Sequence, residues 1–180
     1  MLAMLCVDLT SRIFRTYDNN LLILLVYSLM ELILFVVFYY YALFKQRHIF
    51  TLITSIAGTI YIIWEISVFK KIETKNFQSY AKVVDDFIVI MLVLTFFYEK
   101  INIYKETKWD NFRLNAVILG FFSINLLFFL PYNFIINKSS GLQFYFWFGI
   151  IIITVLFYSY LTHSIWKNGR TRKLLPSGSR

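Results

Sequence analysis

Few side chains in this sequence could do chemistry, and the apolar runs around them make those few conspicuous. Glu31 sits near the middle of one such run, YSLMELILF, with Tyr27 and Ser28 one turn earlier on the same helical face. An ionisable group placed there costs about 2.5 to 3.5 kcal/mol on insertion scales, which makes Glu31 a candidate for binding a proton or a ligand. Both hydroxyls are in reach to hydrogen-bond it; a Glu that only bonds a neighbouring helix and fixes packing is the structural alternative. Glu65, towards the outer end of a second run, and Asp85 and Asp86, at the start of a third, are expected at similar depth as a shared acidic mouth. Lys70, Lys71 and Lys82 at comparable depth offer a plainer reading, salt bridges around the connecting loop. Asp85 and Asp86 are expected in the first turn of their helix, where the macrodipole favours carboxylates.

A fourth run carries Asn115, Ser123 and Asn125, with Asn125 at about the depth of Glu31. Its amide is in range of Glu31 if the helix order allows, and both Asn side chains should face other helices because lipid offers them no partner. His163, between Tyr160 and Trp166 near the end of a fifth run, is the remaining candidate, since histidine changes charge near neutral pH. A hydrogen-bonded interfacial anchor is the plainer role for it, and His48, beside Arg47, reads as solvated. The single cysteine, Cys6, permits no intrachain disulfide, and no Cys/His spacing suits a zinc or iron–sulfur site. With no G-x-S-x-G, Walker-type loop or H-E-x-x-H, and only six glycines, nothing points to a metal, a cofactor or a known catalytic motif.

The elements that must position these residues follow from composition. Of 180 residues, 59% are hydrophobic, 21% aromatic and only 16% charged, more apolar material than a soluble domain of this length can bury. The sequence therefore predicts an all-α, polytopic transmembrane helix bundle. Its five full spans are Leu21 to Phe44, Ile49 to Phe69, Val83 to Tyr98, Leu114 to Ile136 and Leu142 to Trp166. The third is short unless it extends through Ile101 and Ile103. A short amphipathic or partial helix is expected within residues 1–20, with Leu2 to Val7 too short to span and unlike a signal peptide. Residues 167–180 form a basic tail, and 21–166 the bundle. Pro131 predicts a kink or early unwinding in the fourth span. In the second span, Thr51, Thr54, Ser55, Gly58, Ile62 and Glu65 fall on one stripe that should face the bundle, with Thr54 and Gly58 in small-x-x-x-small spacing.

The formal charge is +8, which here marks cytoplasmic loops rather than nucleic acid. Eleven basic residues fall on the side of the Lys45/Arg47 turn, the Lys100 to Arg113 loop and the C-terminal tail, against seven on the other. The positive-inside rule then places the C-terminus in the cytoplasm. Tyr39 to Tyr41, Trp109, Trp147 and Trp166 suit interfacial anchoring.

The segments NNLLILLVYSLMELILFVVFYY, Asn19 to Tyr40, and SYAKVVDDFIVIMLVLTFFYEK, Ser79 to Lys100, resemble a poorly characterised family of bacterial inner-membrane proteins with seven predicted helices. The resemblance implies that Tyr27 to Glu31 begins the third helix of that plan and that the Ser79-Tyr80 loop leads into the fifth. It further implies that Leu2 to Phe14 is the end of the second, so that this chain is an N-terminally short form. It supplies no reaction.

Two functions fit. The first is a non-enzymatic integral membrane sensor or binding module, with membrane lipid around it, coupling a signal in the bundle to a cytoplasmic protein or anionic lipid at the basic tail. The alternative is a small proton- or cation-linked channel or transporter, a homo-oligomer, using Glu31 and the outer carboxylates as its pathway. A membrane-embedded lipid enzyme would need several polar side chains to converge. Contacts among Glu31, Asn125 and Glu65 are the cheapest check: if all three point apart, both the carrier and the enzyme lose their basis.

Overall fold

A computed structural model describes residues 20–69, 79–103, 111–135 and 140–173. The Leu2 to Val7 segment, Cys6, Lys70, Lys71, Trp109 and Lys138 lie outside them. Among the described residues every element is helical. Helix α1 covers Asn20–Phe38 and closes with a π-helical turn, Tyr39–Leu43. Helix α2 is Ile49–Phe69. Helix α3, Ala81–Tyr98, is likewise prolonged by a π-helical turn, Glu99–Ile103, which gives it the added length the short third run required. Helix α4 is Phe112–Ile135 and α5 is Ser140–Lys173.

Three stretches, Leu22–Leu43, Ile49–Val68 and Phe112–Pro131, are long and apolar enough to cross a membrane. In α3 the first turns carry Lys82, Asp85 and Asp86, and in α5 the apolar part is shorter, Phe148–Ser164. The outward faces are apolar: Leu127 on α4 is 71% exposed and Leu156 on α5 is 65% exposed. A belt of this kind has no counterpart on ordinary soluble monomers and suits hydrocarbon as the surrounding medium.

Helix α3 is central, packed against α1, α2 and α4, while α5 packs on α4. Phe121 and Phe157 stack with ring centroids 3.9 Å apart at 7°, which seats α5, and Phe35 meets Phe122 edge to face between α1 and α4. The predicted stripe of α2 does face inward: Thr51, Ser55, Gly58, Ile62 and Glu65 are buried, with Thr54 half-buried. Gly58 lets α2 and α3 approach closely, since a Cβ there would overlap the Ile88 Cδ1 methyl and lie 3.2 Å from Val84 Cγ1. The hydroxyls of Thr54 and Ser55 donate to the Thr51 carbonyl, so these two satisfy themselves within the helix.

Of the kink or early unwinding expected at Pro131, the unwinding does not occur: α4 runs on to Ile135, since one missing ladder bond is tolerable inside a packed helix of this kind. Helix α5 is helical through Lys173, beyond the Trp166 end of the apolar run, so the first part of the basic tail is helix. Its 34 residues span about 51 Å, more than the roughly 30 Å of a hydrocarbon core.

Candidate functional site: a buried ionic quartet

The first turn of α3 differs from expectation in a way that creates the site. The helix begins at Ala81, two residues earlier than the apolar run suggested, with Ser79 Oγ accepting the Ala81 N–H at 3.3 Å. Asp85 and Asp86 therefore lie beyond the first turn and gain little from the macrodipole, which falls off within it. Lys82 takes that turn instead, at the end of the dipole that disfavours a cation. Its spacing to Asp85 and Asp86, i+3 and i+4, brings all three onto one face.

That face meets Glu31 of α1. Lys82 Nζ donates to Glu31 Oε2 and, at 2.8 Å, to Asp85 Oδ2. It also lies 2.8 Å from Asp86 Oδ1, an ion pair without hydrogen-bond direction. Water is largely excluded, since the side chains of Lys82, Glu31, Asp85 and Asp86 are 6%, 1%, 0% and 0% exposed. The Tyr27 hydroxyl donates to Glu31 Oε1 at 3.2 Å and pairs at 2.9 Å with the Tyr158 hydroxyl of α5. Lys82 Nζ is also 5.3 Å from the centre of the Phe122 ring of α4 and 5.7 Å from that of Tyr27, within the range of cation–π attraction.

Charge does not balance inside this enclosure. Three carboxylates offer oxygens within 4.8 Å of one another, and a single ammonium serves all three. Fully ionised, the quartet carries two uncompensated negative charges in a medium that tolerates none. Asp85 Oδ1 and both Asp86 oxygens have no hydrogen-bond partner, so those are the atoms that would carry additional protons or contact a cation. Lys82 itself occupies the position a metal ion would take among the three carboxylates.

The structure sorts the other candidates. Ser28 is buried beside Glu31, yet its hydroxyl donates to the Leu24 carbonyl at 3.0 Å; of the two hydroxyls, Tyr27 alone reaches the carboxyl. Glu65 is buried outside the quartet, with its Oε2 unpartnered. The expected mouth of Glu65, Asp85 and Asp86 is thus replaced by Glu31, Asp85 and Asp86 around Lys82. Asn125 is buried with its Oδ1 unpartnered, and it forms no bond to Glu31, whose two oxygens accept from Tyr27 and Lys82. Glu31, Asn125 and Glu65 form no hydrogen bond with one another, which removes the basis on which a carrier or a lipid enzyme is expected from those three; the carboxylates that do come together are Glu31, Asp85 and Asp86. His163 is exposed on α5. Asn115 is buried between helices, accepting the Tyr39 hydroxyl at 2.6 Å while its amide donates to the Asn111 carbonyl at 3.0 Å.

A further buried carboxylate has no counterpart in the sequence reading. Glu99, 1% exposed, accepts the Lys45 backbone N–H at 2.9 Å and contacts His48 Nε2 at 2.8 Å. His48 is therefore not solvated; it is pinned across the end of the bundle, with its carbonyl accepting the Tyr40 and Thr51 hydroxyls. The Glu31–Lys82 and His48–Glu99 ties both join residues 51 apart in sequence, so α1 with its turn runs parallel to α3 in a single register. The separation of Lys82 from the Lys100 end of α3 is roughly 27 Å at the helical rise, which places the quartet far from the basic end. Comparison with protein-family models, curated proteins and solved structures finds no match to this chain.

Proposed function

We propose that this protein is a small multi-pass carrier that couples to protons or a cation through the quartet of Glu31, Lys82, Asp85 and Asp86. One observation carries the reading: three buried carboxylates share one ammonium, leaving a charge deficit that protons or a cation must fill. Ionisable side chains inside spans mark proton relays and ion pathways because nothing less than function offsets their cost. The reading takes α3 and α5 as spans with the other three helices, five in all. It sets the chain in a bacterial inner membrane, with the Lys45, Arg47, Lys100 and Arg113 end facing the cytoplasm. The test is proton flux in proteoliposomes under an imposed pH gradient. Flux is expected in the parent protein and at least ten-fold less in Glu31→Gln, whose correct insertion is checked by its monomer yield and helical content. A parent without flux refutes the carrier.

The non-enzymatic binding or sensing module is the second reading, favoured by the enclosure of the quartet. Under it, the solubilised protein takes up protons or a cation at the quartet without moving them across the bilayer.

A further inference from the structure

The outer wall of α2 and α3 carries a groove of about 270 Å³ lined by Phe50, Met91, Leu94, Thr95 and Tyr98. Met91, Leu94, Thr95 and Tyr98 follow the i, i+3, i+4, i+7 pattern, so the groove runs lengthwise along α3 for roughly 10 Å. The Thr95 hydroxyl donates to the Met91 carbonyl at 2.8 Å, so it is satisfied within its own helix, and the remaining lining is mostly apolar. One end of the groove, at Phe50 and Tyr98, reaches the basic end of the bundle.

There the chain presents cations on a fixed support. Lys45 and Arg47 are exposed in the turn between α1 and α2, and Phe50 of the groove follows Arg47 by three residues. Buried Glu99 spends both oxygens on this turn, one on the Lys45 N–H and one on the His48 ring, so the positions on either side of Arg47 are held. Lys100 is turned inward, its Nζ 5.6 Å from the Phe96 ring, while Lys45 and Arg47 of the turn stay exposed. The first N–H groups of α2 point to the same place and add partial positive charge.

We infer that this groove and turn form a binding site for one anionic phospholipid, an acyl chain lying along Met91 to Tyr98 and the headgroup phosphate against Arg47 and Lys45. The direction of the groove is that of a lipid chain, and the charge at its mouth complements a phosphate. The site stands apart from the quartet and does not depend on the carrier reading.

Native mass spectrometry of the full chain in detergent, supported by thermal melts, tests the site with dioleoyl phosphatidylglycerol, dioleoyl phosphatidylcholine and glycerol phosphate. Phosphatidylglycerol is expected to be retained at least five-fold better than phosphatidylcholine, and glycerol phosphate to have no effect. Arg47→Gln should weaken the anionic lipid about five-fold, the equivalent of about 1 kcal/mol. Leu94→Trp, which fills the groove from an exposed position, should abolish retention while the protein remains folded. Equal retention of the two lipids by the parent overturns the inference, as does an unchanged lipid preference in Arg47→Gln. A melt shift with glycerol phosphate alone would make the site one for a free anion, and a dimer that lipid does not disperse would give the groove to a second copy; either result also overturns it.

Discussion

Removing the ammonium from the quartet should do more damage than removing any one carboxylate. In Lys82→Met the side chain keeps its length and apolar stem but leaves three carboxyl groups whose oxygens lie within 4.8 Å of one another. At that distance and an effective dielectric of about 20, each ionised pair repels by about 3.5 kcal/mol. The lost attraction to Asp85, at 2.8 Å, is nominally about 6 kcal/mol on the same footing. Desolvation and proton uptake offset much of this, and the net destabilisation on breaking a buried pair is about 3–5 kcal/mol. The loss should depend on pH in a definite direction. Each proton that leaves the variant adds charge to an enclosure with no counter-ion, so the deficit relative to the parent grows as pH rises and shrinks as pH falls. Thermal melts of both proteins in detergent between pH 5 and 9 read this directly. Replacing Asp85 and Asp86 by Asn in the Lys82→Met background removes the excess charge and should recover most of the loss at high pH. A Lys82→Met deficit that is equal at pH 5 and pH 9, or that the two amides do not relieve, refutes the charge account.

Two further changes probe the frame that holds the quartet. Gly58→Leu drives a side chain into Ile88 and Val84, the contact that lets α2 approach α3; an overpacking cost of about 1–3 kcal/mol should appear as a lower melting temperature, and an unchanged one would mean the helices can separate there freely. Glu99→Gln keeps the size of the side chain but weakens the links to His48 and the Lys45 N–H; hydrogen exchange at residues 45–48 should accelerate at least ten-fold while exchange in the middle of α3 stays as in the parent.

The helices were legible because apolar runs bounded by charge have few other meanings in a chain this greasy. The inward stripe of α2 was legible too, since helical periodicity survives any uncertainty about neighbours. Glu31 stood out as a lone carboxyl in a span. Its partner did not, because Lys82 lies 51 residues away and α3 starts at Ala81, capped by Ser79, and not where the apolar run begins. The same ignorance of register hid Glu99 and made His48, beside Arg47, look solvated. Ser28 was assigned to the carboxyl, but a serine inside a helix has a carbonyl of its own preceding turn within reach, and the local bond wins. The K-x-x-D-D spacing at Lys82 to Asp86 was the one available signal that a lysine belonged to the acidic pair.

The shared register of the two ties limits how such a frame can move. Glu31 of α1 holds Lys82 near the start of α3, and Glu99 at the end of α3 holds the turn that follows α1. A slide of α3 along α1 by one residue would shift both by about 1.5 Å and break them together, so small sliding motions are opposed at both ends at once. Tilting is different. If α3 pivots at the Glu99 tie, only the Glu31–Lys82 contact opens; if it pivots at the quartet, only the turn at Lys45 to His48 is released. A proton or cation that takes over the role of the Lys82 ammonium weakens the first tie without touching the second, and so selects between these two pivots. Opening one end while the other stays closed is the motion that alternating access requires, and under the proposed carrier reading the two buried carboxylate ties would divide it between the two ends of one central helix.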